Sequence, residues 1–186
     1  MRTHPSPTRT TERGQSIAEL AIILPALLLM LLAIVQIGLV FFTQVGLTNS
    51  AREAARNASA IPVENAAQAL AASTEYYNRL TNASSGFLKR NVGGYQSSRL
   101  DTTTGNRTRV CYYSFTDASN APAIMARVRV EYSHPLFLPL VAQILDLWDG
   151  TQDGGITLTT TEDIRVGNPV LTTTDIGNSG SPTCNP

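Results

Sequence analysis

The chain has 186 residues, fourteen Lys and Arg balance fourteen Asp and Glu, and only 15% of the residues are charged. This balance gives no electrostatic reason to bind nucleic acid, so no nucleic-acid partner is predicted. Two cysteines and two histidines exclude a scaffold built on many disulfides and a zinc module built on cysteines, and we predict no metal and no cofactor.

Near the N-terminus, residues 20–42 form a block of 23 residues without a charge, LAIILPALLLMLLAIVQIGLVFF. At about 1.5 Å per residue the block makes a helix of roughly 35 Å, enough to cross a hydrocarbon core of about 30 Å. Pro25 removes one helical hydrogen bond, which produces either a kink that helps the helix to leave the bilayer or a tolerated irregularity. We predict a transmembrane helix.

The charges on either side of this block predict its orientation. Residues 1–13 carry three arginines against one glutamate, and the first basic residue after the block is Arg52. By the positive-inside rule, the N-terminus stays in the cytoplasm and the rest of the chain is exported. A cleaved secretory signal is the weaker interpretation, because such signals have an apolar stretch of only about 7 to 15 residues.

A short junction precedes the apolar block. Residues 13–20 read RGQSIAEL. Gly14 stands before the predicted helix, and Glu19 follows Gly14 by five residues. The junction resembles the processing site of type IV prepilins, and residues 14–56 resemble the TadE-type pseudopilins of tight-adherence pili (the TadE/TadG-like family). A Leu-Pro early in the helix, a glycine near its end and the AREAAR segment at 51–56 also carry the resemblance. Family members often have an acid near the end of the apolar stretch, where this chain has the neutral Gln36.

The resemblance implies a non-enzymatic pseudopilin whose leader, residues 1–14, is removed by a prepilin peptidase at the Gly14–Gln15 bond. Glycine leaves the backbone open to a protease. Glu19 is a carboxylate at the membrane boundary, where an acid favours a counter-charge. The new α-amino group of Gln15 would supply that charge, within one chain or between neighbouring subunits, and so serve assembly.

The alternative interpretation is that Gly14 is a flexible joint and Glu19 a boundary residue at headgroup depth. The protein would then be an uncleaved, signal-anchored envelope protein whose exported domain binds a ligand or a partner. Replacement of Gly14 by leucine separates the two interpretations, because it blocks cleavage only under the first.

The resemblance also implies the partners and the location. The partners are the prepilin peptidase, other pilin or pseudopilin subunits, the inner-membrane assembly platform and membrane lipid. The protein would be a single-pass protein of the inner (cytoplasmic) membrane that acts in pilus assembly or adhesion. Whether the subunit enters the fibre, caps it or stays in the membrane as a scaffold is left open.

The N-terminal helix, residues 15–60, is predicted to continue beyond the membrane. Residues at helical spacing form its predicted buried face, and Arg52, Glu53 and Arg56 form the opposite face. The predicted buried residues are Leu47, Ala51, Ala54, Ala55 and Ala58. A second helix is predicted within residues 63–80. Its predicted buried residues are Ala66, Leu70, Tyr77 and Leu80.

Residues 61–186 are predicted to form an exported, pilin-like α+β domain, in which an antiparallel sheet packs on helices. The polar composition of residues 81–106 predicts a long surface loop with one short element at 86–91. Strands are predicted at 108–115, 124–132 and 156–166, with alternating apolar residues in the second. A short helix is predicted at 140–148, and the last twenty residues are predicted to be a loose tail.

Cys111 lies in a predicted strand and Cys184 in the predicted tail. An exported location permits a disulfide between them, whereas a buried free thiol at Cys111 is the other option. Residues 52–129 have ten basic and five acidic residues, whereas residues 131–186 have one basic and seven acidic residues. We expect these two parts to neutralise each other within the domain rather than between subunits.

No catalytic residue is predicted. His134 stands before Pro135 at the end of a predicted strand, where a role in a turn is favoured over acid–base chemistry. Three aspartates, Asp146, Asp149 and Asp153, lack the spacing of an EF-hand calcium loop.

Overall fold

The computed structural model describes residues 12–102, 107–116, 118–138, 143, 154–167, 176–178 and 180–185, with side chains from residue 17 onward. Over these residues the fold is α+β, as predicted, with a long N-terminal helix and a four-stranded antiparallel sheet. The helices are α1 (Glu12–Ser59), α2 (Ala66–Thr81) and α3 (Phe87–Asn91), with a 3-10 turn at Ser97–Arg99. The strands are β1 (Arg109–Thr116), β2 (Pro122–Pro135), β3 (Gly155–Arg165) and β4 (Thr183–Cys184).

Helix α1 has 48 residues and continues through Pro25. At about 1.5 Å per residue it is roughly 72 Å long. Within the described residues, the stretch Ile17–Ser59 is long and apolar enough to cross a membrane, and only 6% of its most apolar window is buried. The large apolar side chains between residues 17 and 45 are mostly exposed, so this half of the helix is not part of the domain core.

The second half of α1 lies in the domain core. Every residue of the predicted buried face is fully buried, which confirms the prediction from helical spacing. Arg52 and Arg56 are exposed on the opposite side. The helix ends at Ser59, shortly before Pro62, which has no backbone N–H to continue it.

Helix α2 begins after Asn65, whose side chain accepts a hydrogen bond of 2.9 Å from the backbone nitrogen of Gln68. Of the residues predicted to form the buried face of this helix, Leu80 is buried and Tyr77 is partly buried against the core, whereas Leu70 is 44% exposed. The residues that the structure buries are Ala69, Ala72, Ser73, Tyr76 and Leu80. Alanines lie on several sides of α2, so their spacing does not select one face, and packing against β1 brings the Tyr76 face inward.

The segment between α2 and β1 is not the surface loop that its polar composition predicted. Five of its apolar side chains are buried in the core: Phe87, Leu88, Val92, Tyr95 and Leu100. The ring of Tyr95 stacks on that of Tyr132 with centroids 5.9 Å apart, and its hydroxyl donates to the Thr81 carbonyl at 3.2 Å. The polar residues of this segment therefore separate a few apolar side chains, which pack in the core and hold the segment on the domain.

The sheet has the strand order β3-β2-β1-β4. Tyr112 of β1 pairs with Ala126 of β2, and Val130 of β2 pairs with Thr160 of β3. Alternate residues of β2 are buried against the helices, as predicted. The strand extends three residues beyond the predicted end, because His134 pairs with Ile156 in the β2–β3 ladder and does not form a turn.

The C-terminal residues are docked on the sheet where the structure describes them, so the predicted loose tail is corrected for residues 176–178 and 180–185. Strand β4 pairs with β1, Ile176 is only 2% exposed, and the Ser114 nitrogen donates to the Gly177 carbonyl at 2.8 Å. Burial of Ile176 and the β4 hydrogen bonds hold this segment in place. Of the helix predicted at 140–148, the structure describes only residue 143, which has helical backbone, and the remaining residues lie outside the described part of the chain.

Ion pairs join the basic and acidic parts of the sequence. Arg127 binds Asp163 at 2.8 Å, and Arg52 binds Glu162 at 2.9 Å. Both pairs connect the basic part of the sequence to β3. They confirm the expectation that charges of the two parts neutralise each other within the domain.

Candidate functional site

The predicted processing site lies in the first turns of α1. Because the helix begins at Glu12, the Gly14–Gln15 bond has helical backbone rather than the extended form that a protease requires. The first four N–H groups of a helix have no intrahelical partner, so unwinding this turn breaks few hydrogen bonds. Glu19 is exposed, and it follows Gln15 by four residues, which places the two on one side of the helix.

Beyond the exposed half, a seam of small residues brings α1 against the domain. A Cβ atom on Gly46 would lie 2.4 Å from the Asn91 carbonyl oxygen, so only glycine fits where the helix crosses the end of α3. The buried Ser50 hydroxyl lies 3.1 Å from the Phe87 carbonyl, also in α3. Close backbone approach therefore fixes this half of α1 on the domain.

Ion pairs and hydrogen bonds hold the AREAAR segment on both sides of that seam. Its alanines are buried, Arg52 binds Glu162 of β3, and Glu53 accepts from Arg90 at 3.0 Å and from Asn91 at 3.2 Å. Further along, the Tyr112 hydroxyl donates to the Ala58 carbonyl at 2.9 Å. Burial raises the pKa of Tyr112, so this phenol stays protonated and keeps donating. The segment is a docking surface for the domain.

Among the contacts that the structure describes, Gln36 is the polar side chain nearest to the N-terminus of α1 that contacts the domain. It is 2% exposed, and its Oε1 accepts from the backbone nitrogen of Leu138 at 3.2 Å. Its Nε2 is buried and has no partner among the described residues. The sequence identified Gln36 only as a residue that offers hydrogen bonds. Its partner is 102 positions away, and no local pattern predicts that pairing.

A cavity of about 360 Å³ lies between α1 and the end of β2. Its walls are mostly apolar and include Leu39, Phe42, Gly93 and Phe137. At its polar end, His134 Nδ1 and the Thr43 hydroxyl are 3.1 Å apart. Burial, and then the positive charge of Arg99, lower the pKa of His134 below 6.5, so its neutral form is favoured at neutral pH.

The structure joins Cys111 and Cys184 in a disulfide, one of the two options that the sequence left open. This bond lies at the pairing of β4 with β1, where it ties the last described strand to the sheet. Among the described residues, no group of three or more His, Cys, Asp or Glu side chains could hold a metal ion. Asp146, Asp149 and Asp153 lie outside those residues.

One comparison with known proteins matches a stretch that covers both halves of α1. The sequence model of the family described as TadE-like protein matches residues 14–56. Neither the curated proteins nor the solved structures that were searched contain a match to the chain. The matched residues run from Gly14, through the exposed half of α1, to Arg56 at the end of the AREAAR segment.

Proposed function

We propose that this TadE-type protein of the tight-adherence pilus system is a pseudopilin, cleaved by a prepilin peptidase after Gly14 and active in pilus assembly or adhesion. The observation that carries the proposal is the coincidence of the TadE-like match with α1. The matched residues include the junction, an apolar stretch long enough to cross a bilayer, and the surface on which the domain docks. A helix that combines these three parts suits a subunit that must be held in a membrane and presented to an assembly.

Cleavage would create the charge pair that assembly uses. Removal of residues 1–14 leaves the α-amino group of Gln15 four residues before Glu19, on the same side of α1. An amine and a carboxylate at the edge of the bilayer attract each other more strongly than they do in water, because the local dielectric is lower. The carboxylate also lies near the positive end of the helix dipole. The pair forms within one subunit or between neighbours.

The proposed location is the inner membrane, with the N-terminus in the cytoplasm and the α+β domain exported. The charge asymmetry around the apolar block supports this orientation. A disulfide between Cys111 and Cys184 suits an exported domain. The proposed partners are the prepilin peptidase, other pilin or pseudopilin subunits and the inner-membrane assembly platform.

The first experiment measures the intact mass and N-terminal residue of the protein recovered from its native membrane, in strains with and without the prepilin peptidase. We expect the chain to begin at Gln15 only when the peptidase is present. Gly14→Leu should leave the full-length chain uncut, because leucine adds a side chain at the scissile bond. Gly38→Leu is the matched control, since a Cβ there meets nothing within 4 Å.

A chain that begins at Met1 in both strains would contradict the proposal and favour an uncleaved, signal-anchored protein. Cleavage of Gly14→Leu at the normal position would contradict the assigned bond. Normal cleavage of Gly38→Leu is required, because it shows that leucine elsewhere in α1 does not prevent membrane insertion.

Glu19→Gln tests the charge pair separately from cleavage. The substitution keeps the size and the hydrogen-bonding groups of the side chain but removes its charge, so we expect normal processing with a loss of assembled complexes. Co-purification of the processed subunit with other pilus proteins measures this effect. Glu53→Gln is the control on the same helix, since Glu53 pairs within the domain. Unchanged complex formation by Glu19→Gln would refute the role of the pair.

A further inference from the structure

We infer that the connector at residues 135–138 is a second membrane contact, a short apolar wedge that enters the outer edge of the bilayer beside α1. The inference rests on the membrane helix of the proposed function. It concerns the exported domain, which the family match at residues 14–56 does not reach. The connector would contact lipid at the boundary between headgroups and acyl chains, on the exported side of the membrane.

The position of Gln36 along α1 sets the depth of the connector. With Glu19 at the cytoplasmic boundary, a hydrocarbon core of about 30 Å accommodates about twenty helical residues and ends near residue 39. Gln36 lies about 25 Å from Glu19, inside that limit. Because Gln36 Oε1 accepts from the Leu138 nitrogen at 3.2 Å, the connector meets the helix at the same depth.

The connector has the composition of a membrane-contacting segment. Residues 135–138 read PLFL, without a charge, and Phe137 is 52% exposed. Phe42 is exposed on α1, and together with Phe137 it lines the apolar cavity between the helix and the connector. The exposed apolar surface of the membrane helix therefore continues onto the domain without a polar break at this point.

Two backbone N–H groups of the connector have the partners that non-helical chain at membrane depth needs. Lipid acyl chains cannot accept hydrogen bonds, so N–H groups among them need partners within the protein. The Leu136 nitrogen donates to the Gly154 carbonyl at 3.1 Å, and the Leu138 nitrogen donates to Gln36. Gln36 thereby supplies an acceptor that a leucine at this position could not supply.

The test uses the full chain in phospholipid vesicles that contain lipids brominated at a shallow or a deep acyl position. Trp148 is the only tryptophan, so Trp148→Phe provides a background for single reporters. We expect Phe137→Trp to lose roughly half of its emission with the shallow bromolipid, because it lies at the outer edge of the core. Leu29→Trp, in the middle of the apolar helix, should be quenched by the deep bromolipid.

Leu70→Trp is the reporter outside the membrane, because Leu70 is exposed on α2 and α2 begins just after α1 ends. We expect neither bromolipid to quench it. Quenching of Leu29→Trp without quenching of Phe137→Trp would overturn the wedge while the membrane helix stands. Quenching of neither reporter would overturn both. Emission from Phe137→Trp that is blue-shifted but unquenched would mean that another subunit, rather than lipid, covers the connector, and would also overturn the wedge.

Two further measurements keep the inference testable if the reporters fold poorly. The unmodified chain, in vesicles with a photoreactive acyl chain, should acquire lipid adducts on peptides covering residues 135–138 and on α1, but not on residues 66–81. Absence of adducts on 135–138 would overturn the wedge. In the Phe137→Trp chain, Gln36→Leu should reduce shallow quenching, whereas Gln44→Leu, which loses a bond to Thr159, should not. Equal effects of both would overturn the role of Gln36.

Discussion

The two halves of α1 are one continuous helix in two different surroundings. Between residues 17 and 45, large side chains such as Ile22 and Met30 are exposed. From Gly46 to Ala58, the side facing the domain is made of buried residues that are all small except Leu47. Large apolar side chains suit contact with lipid, whereas small ones allow another backbone to approach. The size of most of the residues, more than their polarity, therefore distinguishes the exposed half of the helix from the docked half.

The two halves of α1 also differ in the interactions that stabilise their positions. The docked half is held by packing, ion pairs and the Tyr112–Ala58 hydrogen bond, all within the domain. The exposed half makes few contacts with the domain before Gln36, so its placement depends on its surroundings. Changes within the domain should therefore affect folding, whereas changes in the first half should affect insertion and assembly.

The largest expected effect comes from removing the disulfide with Cys111→Ser and Cys184→Ser. The bond closes a loop between positions 73 apart, and loss of such a bond costs about 2–5 kcal/mol. The domain should become sensitive to proteases at temperatures at which the wild type resists, while the chain stays in the membrane fraction. Limited proteolysis of membranes measures both. Equal protease resistance of the two proteins would mean that the bond contributes little to the domain.

A smaller effect is expected when one glycine in each half of α1 is replaced by leucine. Gly46→Leu forces a side chain against the Asn91 carbonyl and should destabilise docking by about 1–3 kcal/mol, as overpacking does. Gly38→Leu should be neutral, since a Cβ there is in open space. Thermal unfolding in detergent, followed by tyrosine circular dichroism, compares them. Equal melting temperatures would contradict the close approach of α1 to α3.

The smallest effect concerns pH. The pKa of His134 is lowered in the folded domain, so the unfolded chain binds a proton more readily. Stability should therefore fall as pH drops through about 6.5 and toward the lower folded value. His134→Gln should flatten this dependence by about 1–2 °C in Tm between pH 7 and pH 5. Melting curves at both pH values test it, and an unchanged slope would show that other groups control it.

The sequence predicted those elements in which one period dominates. Alternation in β2 and the small-residue stripe of α1 each select one face, so their buried residues were correctly predicted. In α2, alanines occur on several sides, and Leu70 was wrongly placed inside although the helix itself was correctly predicted. Local pattern was thus sufficient only where large and small residues, or apolar and polar ones, were clearly separated.

Long-range pairing explains what the sequence could not predict. Neither the contact of Gln36 with Leu138 nor the docking of Ile176 under β1 has a local signal, since each depends on the position of a distant segment. The junction around Gly14 was recognised because its residues are close in sequence. The helix was predicted to begin at residue 15, and only the helical backbone of residues 12–14 was missed, since a glycine gives little support to a helix.

The seam between α1 and the domain has a mechanical consequence. From Gly46 to Ala58 the helix carries the domain through buried contacts, and its backbone is continuous along this stretch. Displacement of the helix along its axis by one turn, about 5.4 Å, would thus move the docked domain by the same distance. A push along the axis at the N-terminal end of α1 would therefore move the domain by the same linear distance.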